Sequence, residues 1–136
     1  MSENVIVQIP VELDDEFFED VVCTMLEGGS NYWVDTIDID HPDGKKPKGV
    51  PVSTWAADAL NKGGNVTIYP IEEEDGVVTI NRENLVAGVK QLIDEHPNWI
   101  AVTYDHKKNH IDFGSMDADD ADAILQYAVF GDLIFG

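Results

Sequence analysis

The feature that most constrains the fold is the alternation of helix-periodic and strand-like segments along the chain. Four segments carry apolar residues at helical spacing, and short β-branched runs separate them. Connections rich in Gly, Pro, Asn and Asp join these segments, and neither an internal repeat nor a linker divides them. This order predicts a single α+β domain over residues 1–136, with a mainly antiparallel sheet of about four to five strands and three to four helices packed on one face.

Polar caps and glycines mark the ends of the predicted helices. The expected amino-terminal caps are Asp14, Ser53, Asn81 and either Ser115 or Asp117. The expected stops are Gly28-Gly29, Gly63-Gly64, His96-Pro97 and Gly131. For the first stop we expect the left-handed conformation that glycine adopts without steric cost.

The predicted strands are short and rich in β-branched or aromatic residues. They are residues 5–9, ended by Pro10, and then residues 33–40, 66–71, 77–80, 99–104 and 111–113. An acidic turn ending in Asp75-Gly76 predicts a hairpin, and the polar residues 105–110 predict a second hairpin. Residues 133–135 are a candidate edge strand.

Charge is the strongest global signal in the sequence. The 27 acidic and 8 basic side chains give a net charge of −19, which repels nucleic acid and anionic membranes and attracts a basic protein surface. Solubility and adaptation to high salt are alternative explanations, although seven of the eight basic residues are Lys, which salt-adapted proteins tend to lose. A loop over residues 41–51 carries Lys45, Lys46 and Lys48 as a basic island.

The single cysteine and the opening residues bear on the compartment. Cys23 cannot form an internal disulfide, and its place on an apolar helix face predicts core packing in a reducing compartment. The first thirty residues lack the basic and apolar regions of a secretory signal, and no apolar run is long enough to cross a bilayer. We therefore expect a cytoplasmic protein without a membrane partner.

The corner at residues 27–33 is the first candidate binding site. A carboxylate, a hydroxyl, an amide and two aromatic rings would lie within one turn, a combination that can stack and hydrogen-bond a planar ligand. These groups belong to Glu27, Ser30, Asn31, Tyr32 and Trp33. The alternative is a structural corner with buried rings and solvated polar tips. Glu27 is unusual because the helix dipole disfavours an anion at a carboxyl end, which hints at a specific partner for its side chain.

An acidic cluster at the start of the last predicted helix is the second candidate. Asp117, Asp119 and Asp120 are predicted binding residues if this helix packs against the corner, and Asp119 with Asp122 could share a face for a divalent cation. Acidic residues in a first helical turn are, however, ordinary capping and dipole chemistry. The sequence predicts no bound metal and no cofactor.

The remaining motifs do not indicate catalysis. Residues 38–44 resemble a calcium loop but lack its ligand spacing, and His106 with His110 has no third zinc ligand. Gly28-Gly29 ends a helix rather than starting one, so it offers carbonyls instead of the amides that cradle phosphate. No Ser/His/Asp or Cys/His spacing stands out, and the chain is predicted to be non-enzymatic.

Two motifs near the ends of the chain carry a family resemblance. Glu27-Gly28-Gly29 with Tyr32-Trp33, and the run over residues 121–136 with Phe130-Gly131, resemble small proteins encoded by bacteriophages and prophages. The resemblance spans nearly the whole chain, although the group commonly has Glu after the Phe-Gly pair where this chain has Asp132. It brings no established activity, and it implies a viral or proviral gene that acts inside a bacterial cell.

Two functions follow as hypotheses. The first is a non-enzymatic phage accessory protein whose acidic surface binds a basic host protein, as a nucleic-acid mimic or an anti-defence factor, without binding nucleic acid itself. The second is a protein that binds or sequesters a small, nucleotide-like ligand at the corner of residues 27–33. The oligomeric state stays open.

Overall fold

The computed structural model describes residues 3–99, 102–108, 110–113 and 117–135, and it confirms the α+β class. The four α-helices are α1 (Asp15–Thr24), α2 (Val52–Asn61), α3 (Arg82–Glu95) and α4 (Ala118–Phe130). The strands are β1 (Val34–Asp40), β2 (Asn65–Pro70), β3 (Val78–Ile80), β4 (Val102–Asp105) and β5 (His110–Phe113). Among the described residues, no helix is both long and apolar enough to cross a membrane.

The main sheet has three antiparallel strands in the order β1-β2-β3, fewer than the four to five predicted. Along β2 the residues alternate between two faces, and Val66 and Ile68 are buried on the face that the helices cover. The opposite face is polar, where the Thr67 hydroxyl pairs with the Thr79 hydroxyl and Tyr69 donates to Asp38. The alternation of apolar and polar residues along β2 therefore matches a sheet that helices cover on one face only.

The second predicted hairpin is confirmed as a separate two-stranded sheet of β4 and β5. The predicted acidic turn contains a 3₁₀ turn, Glu73–Asp75, followed by Gly76 with a positive φ of 83°. This turn joins β2 to β3 as expected from the Asp-Gly pair.

The predicted strand at residues 5–9 is wrong. These residues have no regular structure, and Val5 and Ile6 are 87% and 85% exposed. β-Branched residues favour an extended backbone, but a strand exists only where a neighbour accepts its hydrogen bonds. Residues 133–135 are likewise not an edge strand, because side-chain hydrogen bonds rather than a neighbouring strand hold them.

Three of the predicted helix caps are confirmed. Asp14, Asn81 and Asp117 each accept a backbone amide three residues on, and Gly131 ends α4 in the left-handed conformation. The predicted Ser53 cap is wrong: the cap is Pro51 and α2 begins at Val52, two residues earlier than predicted, and the Ser53 side chain donates to Glu27. The fixed φ of proline suits a helix start, which explains the earlier beginning.

The helix stop at Gly28-Gly29 is correctly placed, but its predicted left-handed conformation is wrong. The chain leaves α1 through a π-helical turn, Met25–Gly29, and neither glycine is left-handed. A Cβ atom at Gly29 would lie only 2.8 Å from the backbone oxygen of Ala118, so glycine is needed here for the close approach of α4. This contact brings the corner of residues 27–33 against the start of the last helix.

Candidate functional site

Asp122 joins the corner of residues 27–33 to α4. It is 6% exposed, and its Oδ1 atom accepts hydrogen bonds from Ser30 Oγ and Trp33 Nε1, both at 2.7 Å. Its Oδ2 atom accepts from Tyr32 Oη at 2.5 Å and from Gln126 Nε2 at 2.9 Å. Four donors therefore satisfy one buried carboxylate, as a charge removed from water requires.

Gln126 extends this network to the residues that follow α4. Its Oε1 atom accepts hydrogen bonds from the backbone amides of Ile134 and Phe135, both at 2.9 Å. Phe135 then stacks on the Trp33 ring, with the ring centroids 5.2 Å apart and an interplanar angle of 16°. The tail, defined as residues 131–135, is fixed over the corner by these contacts.

A cavity of about 770 Å³ opens between the corner, α4 and the tail. Its apolar wall includes three large side chains that stay about half exposed: Tyr32 (52%), Trp99 (48%) and Ile134 (50%). Its acidic rim consists of Asp117, Asp119 and Asp120. We call this cavity the acidic cleft; its described lining contains no Lys or Arg.

The carboxylates of the cleft influence one another. Partial burial and the nearby charge of Asp117 raise the pKa of Asp120 to about 6. The pKa of Tyr32 is also raised, because its hydroxyl is desolvated and donates to the Asp122 carboxylate. Tyr32 therefore stays a hydrogen-bond donor, while Asp120 changes its charge near neutral pH.

The structure divides the predicted binding residues among three places: the acidic cleft, the core and a second, smaller cavity. Tyr32 lines the acidic cleft with Asp117, Asp119 and Asp120, so the last helix does pack against the corner. Trp33 lies in the core at 2% exposure, and its ring contacts Phe130 and Phe135 rather than a cavity. Both oxygens of Asp122 accept hydrogen bonds from protein donors, so this geometry does not favour the alternative in which Asp119 and Asp122 share a cation.

Glu27 and Asn31 line a different, smaller cavity of about 360 Å³. Glu27 Oε1 accepts a hydrogen bond from Ser53 Oγ at 2.8 Å, which gives this carboxylate the specific partner that its place at a helix end suggests. The partner comes from α2 rather than from the same corner. Glu27 thus ties the turn after α1 to α2, and both Glu27 and Asn31 stay exposed to solvent.

Sequence reasoning missed the central place of Asp122 and Gln126. Their four-residue spacing puts them on the same face of α4, and this face also carries the buried Ala121 and Leu125. A polar pair in line with an apolar stripe is a signal of buried hydrogen bonding that the sequence does contain. Trp99 was missed because its approach to the cleft depends on tertiary packing.

A further polar cluster lies at the other end of the molecule. His41 Nδ1 accepts from the Asp43 amide at 2.9 Å, so its Nε2 carries the proton that it donates to Asp58 at 2.7 Å. This hydrogen bond lowers the pKa of Asp58. Lys62 Nζ lies 2.8 Å from Asp43 and 3.3 Å from Asp58, which puts an ammonium group where a metal would bind these carboxylates. The cluster therefore secures the loop before α2.

In the acidic cleft, exposed aromatic surface, carboxylates and open volume coincide. The sequence also suggested His106 with His110 as an incomplete zinc site. The side chain of His110 lies outside the part of the chain that the structure describes. Comparison of the chain with known protein families, with curated protein sequences and with solved structures finds no match.

Proposed function

We propose that the chain is a non-enzymatic accessory protein of a phage or prophage that binds a basic host protein through its acidic surface, with the acidic cleft at the centre of contact. The observation that supports this most is the composition of the cleft. Tyr32, Trp99 and Ile134 offer apolar surface beside three carboxylates. Binding energy at protein interfaces concentrates in such partly buried aromatic positions.

The cleft suits a Lys or Arg side chain in two ways. Its rim carboxylates attract the charged head group, and the faces of Tyr32 and Trp99 can pack against the aliphatic stem or make cation–π contacts. The net charge of −19 adds long-range steering toward a basic surface. The same field opposes the phosphates of nucleic acid, so the proposal excludes direct nucleic-acid binding.

The non-enzymatic part of the proposal is supported by the way the buried carboxylate is used. Both carboxylate oxygens of Asp122 accept hydrogen bonds from side chains of the same chain. The side-chain amide of Gln126 donates to Asp122 and accepts from the backbone of the tail. A general base needs an accessible lone pair within reach of its substrate. Asp122 lines the cleft, but its hydrogen bonds make it a support for the cleft wall.

The proposal is tested by capturing proteins from a bacterial lysate and then titrating the captured protein against three forms of the chain. The cleft variant is Asp119→Asn with Asp120→Asn, and the control is Glu73→Gln with Glu74→Gln, which removes two charges from the exposed turn after β2. The cleft variant should bind at least tenfold more weakly than the control, and raising salt from about 0.05 M to about 0.5 M should release the partner.

Two results would contradict this proposal. Equal weakening by both variants would mean that only the overall charge matters. Retention of the partner at high salt by the cleft variant would place the contact elsewhere on the molecule. Asp117 is left unchanged in the design because it caps α4, and its loss would disturb the fold itself.

A small planar ligand is the second candidate, and the size of the cleft favours it. A volume of about 770 Å³ lies within the range of small-molecule sites, which is about 300–1,000 Å³. The rim carboxylates make a cationic or neutral ring system a better fit than a nucleotide with its phosphates. Thermal-shift screening with nucleotides, nucleosides and cationic aromatic compounds decides this, because a ligand at a hundred times its Kd adds about 2.7 kcal/mol of stability. No shift across all three classes would refute it.

A further inference from the structure

Residues 5–9, which we call the arm, form an uncharged run of mostly β-branched residues that lie outside the hydrophobic core of the described chain. Val5, Ile6 and Val7 are 87%, 85% and 77% exposed, and Pro10 bounds the run. Consecutive exposed aliphatic residues are unfavourable in water and mark a segment that docks on another surface. Their β-branched side chains favour an extended backbone when they dock.

The edge of β1 offers a surface for an extended segment. Within the described chain β1 pairs only with β2, so the backbone groups on its other edge have no strand partner. The cavity of about 360 Å³ lies beside this edge, between Val34–Ile37 of the strand and the start of α2, and no β2 residue lines it. Leu26, Pro51 and Val52 provide its apolar side.

The arm and this edge match in length and in chemistry. Five extended residues cover about 17 Å, and the seven residues of β1 cover about 23 Å. Alternate arm side chains could enter the groove while the arm backbone pairs with β1, which is the usual form of strand addition. The arm carries no charge, so it adds no repulsion to Glu27 and Asp35 at the margin of the groove.

The position of the arm in this structure favours a second copy as its partner. The arm does not lie on the β1 edge of its own chain, because residues 5–9 belong to no strand and Val5, Ile6 and Val7 stay exposed. Among the described residues, the arm and the outer edge of β1 are therefore both without a strand partner. A second copy of the chain supplies the missing partner for each.

We infer that two copies of this chain exchange arms, each arm adding as a fourth strand to the β1 edge of the other copy. A two-fold exchange occupies both arms and both edges, and it closes the assembly at a dimer. Each chain carries a charge of −19, so the two copies repel each other and the dimer tightens as salt rises. This response is opposite to that expected for the basic partner at the acidic cleft, so the failure of either proposal is distinguishable from that of the other.

Sedimentation velocity of the full chain from micromolar to millimolar concentration tests the exchange, at about 0.05 M and about 0.5 M salt. The arm variant is Ile6→Glu, at a position whose side chain supports nothing in the monomer, and the groove variant is Val52→Lys, at a position that is 52% exposed. The matched control is Val86→Glu, which places a charge on a partly exposed valine of α3. We expect a salt-strengthened dimer that both the arm and the groove variants weaken at least tenfold and that the control preserves.

Three outcomes would overturn the inference. The first is a monomer at every concentration and salt tested. The second is a dimer that Ile6→Glu leaves intact, which would place the interface elsewhere. The third is a monomer whose arm amides are protected from hydrogen exchange, which would show that the arm docks on its own chain.

Discussion

Asp122 shows how much one side chain contributes to the shape of the cleft. Replacing Asp122 with Asn keeps the size of the side chain but substitutes an NH₂ group for one of two oxygens that accept four donors. At least one buried donor then loses its acceptor, and the charge that strengthened the other bonds is gone. We expect the free energy of unfolding to fall by about 3 kcal/mol in urea denaturation.

The control for this prediction is Asp119→Asn, which makes the same chemical change at an exposed position of the same helix. Its effect on the free energy of unfolding should stay within about 0.5 kcal/mol. A loss of stability in Asp122→Asn no larger than that of the control would contradict the role assigned to the buried network.

Asp120 gives the cleft a pH dependence with a defined sign. Its pKa is raised from an ordinary value of 3.8 to about 6, so between these values the folded chain binds more protons than the unfolded chain. Stability from this group is therefore present below pH 4 and is lost as pH rises through 6. Asn at position 120 does not ionise, so Asp120→Asn does not lose stability in this way. The free energy of unfolding of the variant should therefore rise relative to that of the parent chain between pH 4 and pH 7.

Urea denaturation of both proteins across this pH range provides the measurement. The charges of Asp120 and Asp117 act on each other, while the other carboxylates are common to both chains, so the difference between the two reports Asp120 together with Asp117. A difference that does not change with pH would contradict the raised pKa. If the cleft binds a basic partner, the affinity of the parent chain should also fall as Asp120 gains its proton below pH 6.

At the scale of elements, the backbone of the tail is held to α4 by the side chain of Gln126. Gln126 accepts the amides of Ile134 and Phe135, and the tail forms one wall of the acidic cleft. In Gln126→Leu these amides lose their acceptor, so we expect hydrogen exchange at Ile134 and Phe135 to accelerate strongly. Global stability should fall by about 2 kcal/mol, because Asp122 also loses a donor.

Gln91→Leu is the matched control for the tail. Gln91 also bonds to the tail, through the backbone oxygen of Gly131, but its hydrogen bond is exposed to solvent. Removing this hydrogen bond should lower the free energy of unfolding by about 0.5 kcal/mol or less. Hydrogen exchange at the amides of Ile134 and Phe135 should stay unchanged. Unchanged exchange in Gln126→Leu would show that the stacking of Phe135 on Trp33 is sufficient to hold the tail.

At the scale of the whole molecule, the net charge of −19 opposes folding through self-repulsion. Among the residues that the structure describes, Lys62, Arg82 and Lys90 form ion pairs with nearby carboxylates, and the acidic side chains far outnumber them. Screening by sodium chloride should therefore raise the Tm between about 0.05 M and about 0.5 M salt. A Tm that falls over this range would mean that local ion pairs outweigh the general repulsion.

The sequence alone predicts the α+β class, the four helices and most of their caps, because these features depend on local signals. Asp14, Asn81 and Asp117 bond to amides three residues away, and helical periodicity identifies the core without knowledge of the fold. The same local signals predict a strand at residues 5–9 that does not form, since pairing requires a partner that local sequence cannot specify.

Only the tertiary structure decides what the candidate site is. Tyr32 and Trp33 are adjacent in sequence, yet Tyr32 lines the cleft and Trp33 is buried in the core. Their shared hydrogen-bond acceptor, Asp122, lies about ninety positions away along the chain. It accepts from Tyr32 at 2.5 Å and from Trp33 at 2.7 Å. Contacts of this range arise from the packing of α4 on the corner, which allows close approach at Gly29. The sequence determined which residues could form a site, and the packing of α4 determined which of them do.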